Sequence, residues 1–207
     1  MRLSWAVSKL NKKLLVGENV VIHCDISRFF NQLTRIMRPC VFLDRDGVLN
    51  EDRVNYAYRL DHFHILKGVP EALQLLKDHG YLLIVVTNQS GIAQGIYTEA
   101  EMHQCHQFLQ QECNHLIDHF YYSPYHPSVT ASLLRKPGTL MFEKAIARYG
   151  VDVNASWMVG DKGRDLIPAR AMGLRTIQVG HEVEPENRGE FIVDNLTAAA
   201  RVILGKA

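Results

Sequence analysis

With 207 residues, 47% of them apolar and 22% charged, the chain is long enough for one well-buried domain and has the make-up of an ordinary water-soluble protein. A net charge of +1 without a basic block disfavours nucleic acid or an anionic membrane as the main partner, and no run approaches the ~18 apolar residues of a membrane span. The opening stretch MRLSWAVSKLNKKLL lacks the apolar core of a signal peptide, so a cytoplasmic protein is expected, and Cys24, Cys40, Cys105 and Cys113 form no CxxC pair and read as reduced thiols.

Residues 1–38 fit no regular scheme and are expected to be a dispensable N-terminal extension, with a docked helix or dimerisation arm as the alternative. The domain proper is placed at 39–207. Val41–Leu43 is the first strand, and Val69–His79 a helix with Pro70 in its first turn and Gly80 as its stop. Tyr81–Val86 is a second strand, apolar throughout, as suits a strand covered on both faces. Thr98-Glu99-Ala100-Glu101 is a capping box for a helix whose apolar stripe is Met102, Cys105, Leu109, Cys113 and Leu116. His119–Tyr122 follows as a strand, then a helix Thr139–Tyr149 stopped by Gly150, a strand Ser156–Val159, a helix Arg164–Met172 stopped by Gly173, and a strand Thr176–Val179. A short strand Phe191–Val193 and an Ala-rich helix close the chain. Strands separated by helices imply right-handed βαβ units. The expected fold is α/β, a doubly wound (Rossmann-like) parallel sheet of about five strands.

In such a sheet, ligands gather beyond the carboxyl ends of the strands. There the first strand delivers Asp44 and Asp46, the second Thr87, Asn88, Gln89 and Ser90, the third helix is preceded by Arg135-Lys136, and the fourth strand delivers Asp161 and Lys162 with Asp165 one turn on. Converging carboxylates are not packing residues, because buried charges must be paired or bound to a metal. A hard cation with oxygen ligands relieves their repulsion, and the small number of carboxylates points to a partly hydrated Mg²⁺. This donor set suits phosphoryl transfer, where positioning and charge neutralisation dominate catalysis. Asp44 can attack in line as nucleophile, helped by the metal and Lys136. Asp46 can protonate the leaving alkoxide and then deprotonate the water that cleaves the aspartyl-phosphate. Thr87 and neighbouring amides would hold phosphoryl oxygens, with Asp161 on the metal.

Asp44-Arg45-Asp46-Gly47, Thr87-Asn88-Gln89-Ser90-Gly91, Arg135-Lys136-Pro137 and Gly160-Asp161-Lys162-x-x-Asp165 resemble, in order and spacing, the motifs of the haloacid dehalogenase (HAD) superfamily phosphatases. Within it, the strings FLDRDGVLNED, VVTNQSGIAQGIYTE, RKP and VGDK are similar to those of the D,D-heptose 1,7-bisphosphate 7-phosphatase and histidinol-phosphatase group. The resemblance implies Asp44 as nucleophile, Asp46 as proton donor, and Mg²⁺ on Asp44, Asp46 (through its carbonyl) and Asp161, with Asp165 supporting. It implies Thr87 and Lys136 on the phosphoryl group, and substrate contacts from Arg135, Lys162, Asn55, Tyr56, Asn88, Gln89 and Ser90. The segment GIAQGIYTE is nearer the heptose enzymes, so a sugar bisphosphate is the expected substrate, histidinol phosphate the alternative. A phospho-ligand-binding protein without turnover is the reading from outside enzymology. HAD enzymes often insert a cap domain between motifs; here the gaps leave no room for one, and a monomer is expected.

The group commonly carries a zinc loop, C-P-H…C-x-C, before R-K-P. Here its ligand positions fall on Ser123, Tyr125, Ser132 and Leu134, and lone His126 cannot replace a four-ligand N/S set, so no zinc is expected and the loop should be held by packing. His103, His106, His115 and His119 are read as solvated or core-edge residues, His62, His64 and Tyr58 as loop packing, and Gly91 and Gly95 do not make GxGxxG. Strand alternation points Arg45 away from both flanking acids, with no catalytic part.

Overall fold

The computed structural model describes residues 37–180 and 185–206. Six parallel strands, β1 (Cys40–Leu43), β2 (Leu82–Asn88), β3 (His119–Ser123), β4 (Trp157–Gly160), β5 (Arg175–Val179) and β6 (Phe191–Val193), lie in the order β3-β2-β1-β4-β5-β6. The helices are α1 (Val69–Asp78), α2 (Glu99–Glu112), α3 (Leu140–Tyr149), α4 (Gly163–Ala171) and α5 (Leu196–Ile203). This is the expected doubly wound sheet, with Phe191–Val193 as a sixth strand.

Alternation along the central strands sorts their side chains into two layers. Val41, Leu43, Leu83 and Val85 face α1, α2 and α5, where they meet Leu73, Leu76, Leu109 and Ala200. Phe42, Ile84 and Val86 face α3 and α4, with Met141, Phe142 and Leu166. Phe42 and Phe142 sit with ring centroids 5.2 Å apart. Both layers being apolar explains why β1 and β2 read as unbroken apolar runs rather than alternating ones. Cys40, Cys105 and Cys113 are buried and unpaired, while Cys24 lies outside the described residues.

The helix boundaries follow local chemistry. Thr98 caps α2 reciprocally: its Oγ1 accepts from the Glu101 amide (3.2 Å) while Glu101 Oε2 accepts from the Thr98 amide (2.8 Å). Gly150 ends α3 in the left-handed region, φ 64°, where a side chain would be strained. β2 runs two residues further than predicted, so Thr87 and Asn88 pair with Tyr122 and Ser123 as ladder residues.

Between β1 and β2 the chain holds only a loop, a 3₁₀ turn at Leu60–His62 and α1, and between β2 and β3 only a loop and α2. No cap domain interrupts the fold. The adjacency of β2, β1 and β4 brings the ends of these three strands to one crevice. Of the expected extension, residues 1–36 lie outside the described residues; Arg38 belongs to the domain, exchanging Arg38 N–H with Gly150 O and Asp152 N–H with Arg38 O (3.0 and 2.9 Å).

Because Leu83 is fully buried in the middle of the sheet, Leu83→Ala should cost about 2–5 kcal/mol. Thr98→Ala, which removes only an exposed cap, should cost about 1 kcal/mol. Urea unfolding of both variants checks the ranking, and an equal loss would contradict the layer assignment.

Candidate active site

The crevice is organised around Lys136. Its ammonium, 1% exposed, lies 2.9 Å from Asp44 Oδ1 and 2.6 Å from Asp165 Oδ1 and donates to the Val86 carbonyl at 2.7 Å. Two carboxylate oxygens and one carbonyl thus surround the ammonium. Burial opposes its charge, but Asp165 and Asp44 outweigh that and raise its pKa. Lys136 arrives there because Asn88 clasps its backbone: Asn88 Nδ2 donates to Lys136 O and Lys136 N–H donates to Asn88 Oδ1, both at 3.0 Å. Asn88 therefore turns to the protein, and the expectation of a substrate contact from its side chain gives way to a positioning task.

Asp44, 3% exposed, accepts at Oδ1 from the Arg45 amide (2.7 Å) and from Lys136; its Oδ2 accepts no hydrogen bond from the described residues. Burial first, then Asp165, Asp161 and Asp46, push its carboxyl up from 3.8 to about 7, with Lys136 pulling the other way. Asp161, 8% exposed, is raised to about 6, chiefly by burial and Asp165, and its buried Oδ1 has no hydrogen-bond partner. Carboxylate oxygens of Asp44, Asp161 and Asp165 lie within 4.8 Å of one another. Asp165 Oδ2 accepts from the Lys162 amide (3.0 Å), while its buried Oδ1 is ion-paired with Lys136 without a hydrogen bond, so Asp165 backs the cluster. Gly47, at φ +85°, lets the chain pass Asp161 closely: a Cβ there would overlap Asp161 Oδ2.

Arg45 does not point away from the acids. Beyond Leu43 the chain leaves the strand and curls, with the amides of Leu49 and Asn50 both bonded to the Arg45 carbonyl (2.8 and 3.1 Å), so strand alternation no longer governs direction. The Arg45 guanidinium, in a residue 1% exposed, grips Asp46: Nη2 lies 2.8 and 2.9 Å from the two carboxylate oxygens, and Nε 3.2 Å from Oδ1. Nη2 also donates to Ala57 O (3.0 Å), Nη1 approaches His106 Nε2 (3.4 Å), and the group lies 5.3 Å from the Phe63 ring centroid. Asn50 Nδ2 adds a bond to Asp46 Oδ1 (2.9 Å) and Gln89 Nε2 one to Oδ2 (3.0 Å). His106, expected at the core edge or in solvent, is 5% exposed and stacked on Phe120; burial, then Arg45 and His103, hold its pKa well below the usual histidine range.

Thr87 is buried with Oγ1 bonded to Gln89 Nε2 (2.9 Å). The Gln89 amide thus faces Asp46 and Thr87, and its expected substrate contact is not formed by a free side chain. Ser90 is buried beside the crevice at 7% exposure. Tyr56 stands at φ +61° with its hydroxyl bonded to Gln94 Nε2 (2.8 Å), and Asn55 beside it is exposed. Lys162 lies 3.2 Å from Asp161 and 3.8 Å from Asp52, and Arg135 donates to Tyr125 O (3.1 Å).

In the loop before Arg135, Leu134 packs against the α3–α4 side of the core, while Val129 and Leu133 are 59% and 78% exposed. Hydrogen bonds shape the rest: Val129 and Thr130 amides reach the His126 carbonyl (2.9 and 3.0 Å), His126 Nδ1 meets Ser128 Oγ (2.6 Å), and Ala93 N–H binds Pro124 O (3.1 Å). Ser123, Tyr125, Ser132 and Leu134 bring no thiol to this loop.

Residues 133–199 match the HAD-hydrolase-like family model. The D-glycero-β-D-manno-heptose-1,7-bisphosphate 7-phosphatase of Haemophilus ducreyi is 36% identical over 173 residues, 77% of this chain and 94% of that protein. The enzyme of the same name from Escherichia coli K12 is 34% identical over 80% of this chain and 93% of its own. The crystal structure of D,D-heptose 1,7-bisphosphate phosphatase from B. bronchiseptica, complexed with magnesium and phosphate, superposes with a TM-score of 0.74 at 26% identity, covering 82% of this chain and 99% of that one. By fold, motif order and these relatives, the chain belongs to the HAD-like heptose-bisphosphate phosphatase family.

Proposed function

We propose that this chain is a Mg²⁺-dependent phosphomonoester hydrolase that removes the 7-phosphate of D-glycero-D-manno-heptose 1,7-bisphosphate through a phospho-Asp44 intermediate. The observation that carries the phosphatase reading is the buried convergence of Asp44, Asp161 and Asp165 on Lys136. The substrate rests on relatives that match 77–80% of this chain and 93–94% of their own length.

Asp44 attacks phosphorus, the bond from phosphorus to the sugar oxygen breaks, and that oxygen takes the proton of the Asp46 carboxyl. Water then attacks the phosphoryl group, giving up a proton to the Asp46 carboxylate and freeing Asp44. Lys136 steadies Asp44 and the phosphoryl oxygens, Thr87 and nearby amides hold the latter, and Asn55, Tyr56, Ser90, Arg135 and Lys162 address the sugar or its second phosphate. The donor set fits magnesium: every candidate ligand is a hard oxygen, and Asp161 Oδ1 is buried without a hydrogen-bond partner. Asp44, Asp161 and the Asp46 carbonyl would hold the ion, with Asp165 behind them. When bound, it supplies charge neutralisation for the attacking carboxylate and the phosphoryl oxygens. A structural zinc is not needed in this reading, because the 123–134 loop closes on its own hydrogen bonds. No described helix is long and apolar enough to cross a membrane, and the same reading makes the enzyme a cytoplasmic monomer acting on a small diffusible sugar phosphate.

Asp44→Asn should lower phosphate release by at least about 10³-fold while thermal unfolding stays within a few degrees of wild type. Phosphate release across a metabolite panel, with Mg²⁺ and with EDTA, tests the substrate: heptose 1,7-bisphosphate should lead, and histidinol phosphate outperforming every sugar bisphosphate would refute the heptose reading. Stoichiometric zinc in the purified protein would refute the zinc-free loop.

The raised carboxyls of Asp44 and Asp161 give a second test. Between pH 4 and 7, about the span from their ordinary value to their folded ones, the metal-free folded state holds protons that the unfolded chain has lost, so their contribution to stability declines as pH rises. Mg²⁺ competes with those protons. Its stabilisation, about 2.7 kcal/mol at a hundredfold excess over Kd, should be nearly full at pH 7.5 and much smaller at pH 5. Thermal unfolding with and without Mg²⁺ at the two pH values reads the difference; an equal shift at both would exclude these acids as the ligands.

A further inference from the structure

The Gln89 side chain is a planar amide whose two ends are not equivalent: Nε2 can only donate and Oε1 can only accept. Nε2 serves both Asp46 Oδ2 (3.0 Å) and Thr87 Oγ1 (2.9 Å), and Oε1 accepts from the Tyr97 hydroxyl at 2.8 Å. A flipped Gln89 would set its oxygen against the Asp46 carboxylate and its NH₂ against the phenol. The acceptor-only Asp46 carboxylate excludes that flip, and the Tyr97 hydroxyl, donating to Oε1, anchors the far end of the amide so that Nε2 is held against Asp46. Burial raises its pKa above the usual phenol range, so it stays protonated.

Tyr97 is itself immobilised. It is 4% exposed, and its ring lies on Gly91, where a Cβ would overlap the ring edge. Tyr58 stacks on it at 4.9 Å with an interplanar angle of 9°, and Tyr56 meets it edge-on at 5.6 Å. Tyr56 and Tyr58 belong to the loop after the first motif, beside the crevice. A continuous set of contacts thus joins that loop, through Tyr97 and Gln89, to the carboxylate of Asp46.

Resting on the phosphatase reading above, we propose that Tyr97 is a positioning residue: its hydroxyl fixes the Gln89 amide, and Gln89 holds the Asp46 carboxyl group at the angle from which it passes a proton to the departing sugar oxygen. Tyr97 touches neither substrate nor reacting atoms. Its effect should scale with how much the leaving group needs a proton, a property that packing alone would not show.

The test compares kcat/KM, which reports the steps through departure of the leaving group, for heptose 1,7-bisphosphate and p-nitrophenyl phosphate with saturating Mg²⁺. The first leaves as an alkoxide that needs a proton; the second leaves as a stable phenolate. Tyr97→Phe keeps the stack and removes one oxygen. It should lower kcat/KM about tenfold on the sugar ester and less than about twofold on the aryl ester, with a cooperative thermal transition retained. Gln89→Met should show the same selectivity, and adding Tyr97→Phe to it should change little further, because both act through one hydrogen-bond chain. Equal losses on the two esters, no loss on either, or additive losses in the double variant, with an active wild type, would overturn this inference alone. A wild type that hydrolyses neither ester would overturn the phosphatase reading and this inference with it.

Discussion

The Lys136 ammonium, sealed between Asp44, Asp165 and the Val86 carbonyl, is the contact on which the rest of the crevice depends. Removing the lysine would leave two buried carboxylates uncompensated and cost about 3–5 kcal/mol, whereas neutralising Asp44 leaves the lysine still paired with Asp165. They come from three separate places in the chain: the end of β1, the segment before α3 and the first turn of α4. Only the parallel order β2-β1-β4 brings these together, and only the Asn88 clasp sets the Lys136 backbone at the right height. The cluster still carries more acid than base. Burial first, and that imbalance with it, raises the Asp44 and Asp161 carboxyls, and this is the physical demand that a divalent cation would meet.

The parts of this arrangement legible in the sequence were those with no packing alternative. Acids and a lysine at successive strand ends have no place in an apolar core, so their convergence followed from topology alone. The strands and helices were equally plain, because two-sided burial makes continuous apolar runs and α2 opens on a capping box. What the sequence hid was the direction of side chains once regular structure stops. Arg45 defeats the alternation argument because the chain curls immediately after β1. Asn88 and Gln89 look like loop residues free to meet a ligand, yet β2 carries Asn88 in its ladder and both amides turn inward.

His106 shows a signal that was present and outweighed. It lies four residues after Met102 and three before Leu109, in phase with the buried face of α2, but its polarity suggested the solvent side. Neutral imidazole there supplies an acceptor near Arg45 Nη1 and a flat surface for Phe120, two demands that an aliphatic residue could not meet together. The 123–134 loop was illegible for a different reason. Its turns are made by carbonyls and short polar side chains over a few residues, and such local bonds leave no periodic trace.

These inward-facing groups change where discrimination between substrates must come from. Arg45, Asn50, Asn88 and Gln89 are all spent on holding Asp46 and Lys136, and Thr87 is bonded to one of them. On the proposed reading, these side chains hold the catalytic groups and would meet any phosphomonoester with the same chemistry. On the proposed reading, and without a cap domain, selectivity falls to Asn55, Tyr56, Ser90, Arg135 and Lys162. Of these, Tyr56 is under most constraint, held in the left-handed region by its bond to Gln94 and its contact with Tyr97. On that reading, a loop fixed to the inner layer through the contacts of Tyr56 and Tyr58 with Tyr97 can vary in what it recognises while the proton-transfer geometry beneath it stays unchanged, provided those contacts are kept.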